Sequence, residues 1–281
     1  MQSPSRIHRR VATALVVLCV VCAGARGELI GHWQLDGNAQ DATGANHGTV
    51  EGTNYDWVSS APSPDALRIN ESGTKDAYVR VGDAPELDFG AGDFTVSYRV
   101  KKLEASDSWT NVWGVGKWNT GAGAGSNEWG LDLTAAASGD QAAFYIESGN
   151  TMYQVESPNA MTLDEWHHLV AARRGTDIQL YLDGQLVDEA HVGNAAVNNV
   201  GRELMFGASA SPNAKNRPRA VFDDVQIYNE ALSDGGVSVG ETASGWIGWL
   251  HANPGIPTPE PSATILLILA ATLVMSRRRF Y

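Results

Sequence analysis

Cysteine is nearly absent: the two present, Cys19 and Cys22, both fall within the first 27 residues. The remainder therefore has no disulfide, thiol nucleophile or cysteine metal site, and its stability must come from a packed core. Basic residues are also scarce, 20 against 32 acidic ones. Residues 1–27 hold four Arg and no acid, and 259–281 hold three Arg and one Glu. That leaves 13 basic and 31 acidic residues, a net charge of −18, between 28 and 258. A surface of that sign repels nucleic acid and anionic lipid, and favours solubility or divalent cations. No apolar run reaches the roughly 20 residues that cross a bilayer comfortably. The run Gly121-Ala122-Gly123-Ala124-Gly125-Ser126 is not a phosphate loop: Ser126 takes the third glycine's place, and no helical pattern or Lys-Ser/Thr follows. It reads as a loop between adjacent strands. EF-hand spacing and internal repeats are missing too.

Glycine (30), Pro (11) and 43% hydrophobic residues, with nine Trp, eight Tyr and six Phe, fit a turn-rich all-β protein with a sizeable core. The central stretch is Glu165 to Val187. There Ile178, Leu180 and Leu182 alternate with Gln179, Tyr181 and Asp183, the period of a strand with one buried face. Asp183-Gly184 supplies a tight hairpin turn and Arg174 to Asp177 an earlier break, which predicts a three-stranded antiparallel meander. Short strands are predicted at 29–35, 66–69, 77–81, 94–100, 144–147, 152–155, 204–207 and 220–228, with turns every 8–12 residues as in a sandwich. Residues 234–258 read as a semi-flexible linker carrying Trp246 and Trp249.

The two ends differ from the middle. Arg6, Arg9 and Arg10 precede the apolar run 11–22 and the small residues Ala23-Gly24-Ala25, the plan of a secretory signal peptide cleaved after Ala25 or Gly27. An uncleaved N-terminal anchor is the alternative. At the other end Pro259-Glu260-Pro261 is followed by the apolar run 263–275 and Arg277-Arg278-Arg279, an order that predicts a membrane hold with the arginines inside. This tail resembles the PEP-CTERM sorting signal. The resemblance implies export to the cell envelope or extracellular matrix and removal of the tail by an exosortase-type enzyme. A permanent single-span anchor is the alternative.

"EWHHLVAARRGTDIQLYLDG", "ALRIN…DAYVRVG…LDFGAGDFTVSYRVK" and "FDDVQIYNEALS" together resemble the laminin-G-like, concanavalin A-like jelly-roll family. The resemblance covers residues 28–233. It implies an antiparallel two-sheet jelly-roll β-sandwich with its first and last strands adjacent, a fold that hosts lectins, adhesion modules and hydrolases alike.

Three sets of residues are candidates for function. Asp41 and Asn46 lie in an oxygen-rich, glycine-rich loop of the kind calcium prefers. Alternation places Asp223 on the face of Val221, Val225 and Ile227, where its carboxylate needs a calcium ion, backbone amides or an Arg as partner; the adjacency of first and last strands that the resemblance implies would let it complete that calcium site. The competing reading is an Asx-turn system bonded to its own backbone. Trp109, Trp113, Trp118 and Trp129 are either a sugar-stacking platform or ordinary core. Glu128 and Asp132 share a strand face as a laminarinase-type acid pair would, although Gly130 occupies the intermediate position and Asp132 is the shorter acid. His167 and His168, adjacent on a strand, point to opposite faces and cannot share a site. No catalytic residue is assigned. The expected function is non-catalytic binding of an extracellular polysaccharide or surface glycan, with a glycoside hydrolase or a purely structural matrix protein as alternatives.

Overall fold

The computed structural model describes residues 28–59, 65–105, 113–118, 127–133, 140–197, 200–208 and 217–258. Among them the chain runs through β1 (Leu29–Trp33), β2 (Gly48–Glu51), β3 (Tyr55–Val58), β4 (Ala66–Ile69), β5 (Tyr78–Val81) and β6 (Phe94–Lys102). There follow β7 (Val115–Lys117), β8 (Trp129–Asp132), β9 (Ala143–Ser148), β10 (Thr151–Glu156) and β11 (Trp166–Arg174). The last elements are β12 (Asp177–Leu182), β13 (Gln185–His191), β14 (Leu204–Phe206), β15 (Ala220–Tyr228) and helix α1 (Gly245–Ala252). The strands form two antiparallel sheets, as expected. Sheet A has the order β13-β12-β11-β6-β15-β4-β3, with β1 beside β15, and sheet B the order β10-β9-β8-β7-β14-β5-β2.

The meander is β11-β12-β13. Asp183 (φ 51°) and Gly184 (φ 80°) make the turn, and Gly175 (φ 58°) the earlier break, as their positive φ tolerance requires. The first and last strands pair, Trp33 opposite Val225. Between the sheets lies one large core, where Phe94 stacks on Phe89 at 4.3 Å and meets Trp129 at 5.6 Å. Trp33 is fully buried within it, edge-on to Phe206 at 5.2 Å. Trp129 is therefore core, one of its two sequence readings.

Two expectations are corrected. Residues 234–258 are not a linker. They form a strap over the outer face of sheet A, closing a second apolar cluster of Val170, Ala172, Tyr181, Leu186 and Tyr228 with Leu232, Ala243, Ile247 and Leu250. Both faces of β11 and β12 are thus buried. The strap is stitched down by main-chain bonds: Leu186 N to Glu241 O (3.0 Å), Ala243 N to Gly184 O (2.7 Å), and the α1 amides of Trp246 and Ile247 to Ser233 O (2.7 and 3.0 Å). Ser233 O thereby satisfies two amides of the helix start, while the Ser244 side chain makes no capping bond.

The second correction concerns β15. Its register with β6 shifts between Asp223 and Gln226, where Asp224 takes φ 51°. This bulge breaks the strict alternation assumed for Asp223. Phe222, Val225 and Ile227 face the main core, whereas Asp223 stands opposite Arg99 of β6 and does not share the face of Val225 and Ile227.

Candidate binding face

On the outward side of sheet B lies a third apolar cluster, separate from the main core and itself buried: Trp113, Trp118, Tyr145, Met205 and Ala208, with Tyr78 against it. Strand alternation builds it. On β7 and β8, Val115, Trp129 and Leu131 point inward to the core, so Gly116, Gly130 and Asp132 point outward. Gly116 lies opposite Gly130 in register. Two adjacent glycines leave a trough in the sheet, and the Trp118 indole lies in it. A Cβ on Gly116 would come within 2.7 Å of the Trp118 ring. One on Gly130 would come within 2.7 Å of Trp118 Nε1 and 3.0 Å of Tyr145. Trp113 meets Trp118 at 6.4 Å with the planes tilted by 50°. Arg217 lies over the Tyr78 ring at 4.6 Å, held there by its bonds to the carbonyls of Lys75 and Asp76.

Acidic groups border the rings. Tyr145 Oη donates to Glu128 Oε1 at 3.5 Å, and Asp132 Oδ1 accepts from Gly114 N at 3.2 Å. Burial pushes the Asp132 carboxyl well above the usual carboxylate range; the Gly114 amide opposes this and the Glu128 charge adds to it. Burial likewise raises the Tyr145 hydroxyl, helped by the charges of Asp132 and Glu128. Strand β8 pairs without a register break on both sides. Glu128 lies just before this strand, and its charge acts on both Asp132 and Tyr145. With Gly130 between them, Glu128 and Asp132 supply no third carboxylate. Of the four expected platform residues, Trp113 and Trp118 meet on this face, Trp129 lies in the core, and Trp109 falls outside the described residues.

The loop of Asp41 is held by its own backbone. The Asp41 carboxylate accepts from His32 N (2.8 Å), Thr43 N (2.9 Å), Thr43 Oγ1 (2.6 Å), Ala45 N (3.3 Å) and Asn46 N (2.9 Å). Burial raises this carboxyl, but the amide of His32, the hydroxyl of Thr43 and the amide of Asn46 outweigh it and hold the group below its usual range. Asn46 donates to Ile30 O and Glu86 Oε1. The expected calcium set of Asp41, Asn46 and Asp223 is thus not gathered in one place, Asp223 standing across from Arg99. Among the described residues no group of three or more His, Cys, Asp or Glu is placed to hold a metal ion. Asp41→Ala is expected to cost roughly 2–4 kcal/mol, because several buried amides lose their acceptor at once. A thermal melt would show the loss, and the parent melting temperature should be the same in excess calcium and in EDTA. A rise with calcium would reinstate the metal.

Sequence reasoning missed a polar layer beneath the strap. Asp224, buried, accepts from Gln226 Nε2 (2.7 Å) and Gly255 N (2.8 Å), and its Oδ1 lies 2.9 Å from His32 Nε2. His167 is not part of this layer: it points to the other side of β11 from His168 and bonds Asp183 Oδ2 (2.8 Å) and Thr162 O (3.2 Å). The signal was present in Trp246-Ile247-Gly248-Trp249-Leu250, an apolar spacing of helical period before Pro254.

The chain is thus a two-sheet antiparallel β-sandwich with a buried aromatic cluster on the outer side of one sheet. The family model described as the concanavalin A-like lectin/glucanases superfamily matches residues 72–238, more than half of the sequence, and the chain belongs to this laminin-G-like family. No curated protein matches it significantly in sequence. Among solved structures, domain 4 of AbnA, a GH43 extracellular arabinanase from Geobacillus stearothermophilus in complex with arabinotriose, superposes with TM-score 0.60 at 16% identity. That match covers 74% of this chain and 96% of that one. The binding domain of Paraclostridial Mosquitocidal Protein 1 gives TM-score 0.60 at 15% identity, over 79% of this chain and 51% of that one. The binding domain of Botulinum neurotoxin DC, in complex with rat synaptotagmin II, gives 0.55 at 15%, over 80% and 51%. The chain thus spans about half the length of these toxin domains. At such identities the likeness is one of fold.

Proposed function

We propose that residues 28–258 are a non-catalytic carbohydrate- or polymer-binding domain that uses the outer side of sheet B. The observation that carries this reading is the Trp113–Trp118–Tyr145 layer. It is apolar and aromatic, lies outside the main core and is bordered by Glu128; Trp113, Trp118 and Tyr145 are 7%, 2% and 6% exposed, so a sugar reaches their faces only after the layer opens. Flat rings seated on a rigid sheet pack against the C–H faces of pyranose rings, and nearby carboxyl groups bond sugar hydroxyls. The arabinotriose bound by the AbnA domain, a sandwich of the same fold, supports a saccharide as the ligand class. The organism's use of the domain follows from the ends: residues 1–27 export the chain, and 259–281, with their PEP motif, hand it to a sorting enzyme at the membrane. The domain then works at the cell surface or in the extracellular matrix. Among the described residues no helix is long and apolar enough to cross a membrane; the run 263–275 lies outside them.

A glycan array probed with residues 28–258 tests the reading. Binding to one family of polysaccharides is expected, falling at least about 30-fold in Trp118→Ala, since a central aromatic anchor contributes 2 kcal/mol or more. Glu128→Gln should leave the glycan chain length unchanged over long incubation, as the parent does. Glycan cleavage by the parent that Glu128→Gln abolishes would make the chain a hydrolase instead.

A further inference from the structure

The strap meets sheet A at a pair of histidines. His168 of β11 is buried, and its ring stacks on His251 of α1, with centroids 5.6 Å apart and planes 21° from parallel. His168 Nε2 bonds Ser97 Oγ at 2.8 Å, and Arg99, opposite His168 in the ladder, donates from Nη2 to His251 O at 2.7 Å. Both Nδ1 atoms and Arg99 Nε are buried without a hydrogen-bond partner. The contact therefore brings one fixed cation and two titratable rings together.

We infer that the strap, residues 234–258, is a pH-sensitive latch, closed over sheet A while His168 and His251 are neutral and loosened when they take up protons.

The surrounding charges decide the sign. From β6 comes Arg99, from β15 Asp223 and Asp224, from β1 His32, and from the β12–β13 turn Asp183. The strap brings no carboxylate of its own between 245 and 258. The acids that face the pair are engaged. Asp183 bonds His167 Nδ1 and His168 N, and Asp224 bonds His32, Gln226 and Gly255. Protonation would accordingly place imidazolium on imidazolium beside a guanidinium, with His168 buried and His251 and Arg99 half-buried. Burial, then the charges of Arg99 and His251, hold His168 down to about 3, and burial and Arg99 lower His251 as well. A strap that opens returns both rings to water and to the ordinary histidine range near 6.5. Below that range each proton taken up on opening favours the open form by a factor of ten per pH unit. His167 has the opposite shift, raised by its bond to Asp183, and adds no slope below 6.5.

Hydrogen exchange on residues 28–258, corrected for intrinsic pH dependence, tests this. Protection of amides in 240–256 should fall at least tenfold per unit between pH 6 and about 4.5, while β6 and β11 keep theirs. In His251→Gln the slope should drop by up to tenfold per unit, and in His168→Gln/His251→Gln it should vanish. Equal loss across strap and sheet, or a slope unchanged in the double variant, would overturn the latch. Fluorescence of Trp246 and Trp249 gives the same readout should the double variant exchange too fast to measure.

Discussion

Deleting residues 234–258 is expected to lower the stability of the sandwich severely while leaving both sheets folded, since every strand and the main core remain. The strap covers Val170, Tyr181, Leu186 and Tyr228 on sheet A, and these face water without it. At about 1.5–3 kcal/mol for each large apolar side chain, the loss approaches the 5–15 kcal/mol that holds a typical domain together. The deletion also strips partners from buried polar groups: Tyr181 Oη loses Asp234 (2.7 Å), and Asp224 loses the Gly255 amide. Far-ultraviolet circular dichroism and a thermal melt of 28–233 beside 28–258 would show it. A milder form keeps the measurement quantitative. Ile247→Ala, at a fully buried site, should cost about 2–4 kcal/mol, or roughly 5–15 °C in melting temperature for a domain of this size. Removing 259–281 should leave the melt unchanged. A 28–233 that melts at the temperature of 28–258 would return the strap to the status of a linker.

Gly130→Ala is expected to separate binding from folding. The added Cβ meets Trp118 Nε1 at 2.7 Å and Tyr145 at 3.0 Å, so the indole must lift out of the trough between β7 and β8. Overpacking of this kind costs about 1–3 kcal/mol, which a domain with a core of this size survives. Glycan affinity should fall about tenfold or more because the ring plane that receives the sugar is tilted. Gly149→Ala serves as a control: it sits in the β9–β10 turn with open space around its Cβ direction and a φ of 62°. It should cost a little stability from left-handed strain and leave affinity unchanged. Calorimetric titration of both variants separates the two effects.

The meander, the hairpin turn and the closing strand were legible in the sequence because they are local. Asp183-Gly184 fixes a turn by backbone preference alone, and the alternation of 178–182 reports a face buried in the core. Alternation also hid something. It predicts one buried face for β12, yet Tyr181 on the other face is buried as well, by a strap 50–70 residues further on that nothing in the pattern of β12 itself announces. The bulge at Asp224 escaped for a related reason. Asp-Asp in a strand carries no sign that one residue will take a positive φ, so parity placed Asp223 beside Val225 when the chain had already slipped by one. The tryptophans could not be sorted by type. Trp129 and Trp118 differ only in which side of sheet B they point to, and Gly130, read first as a missing catalytic acid, proved to make the trough in which Trp118 lies. The Asp41 loop shows why composition could not divide a metal site from an Asx-turn system. Its carboxylate is filled by amides and a hydroxyl, which are donors that sequence composition does not display.

The central claim is that sheet B's aromatic layer receives a sugar, and the indole N–H signals of a nitrogen-15-labelled 28–258 read that directly. On titration with the best glycan from the array, the Trp113 and Trp118 resonances, assigned by single substitution, should shift and saturate together. Those of Trp33 and Trp129 in the core, and of Trp246 and Trp249 on the strap, should stay in place. A saturating shift confined to Trp246 and Trp249, or binding that moves no indole, would contradict the account and place the ligand elsewhere on the sandwich.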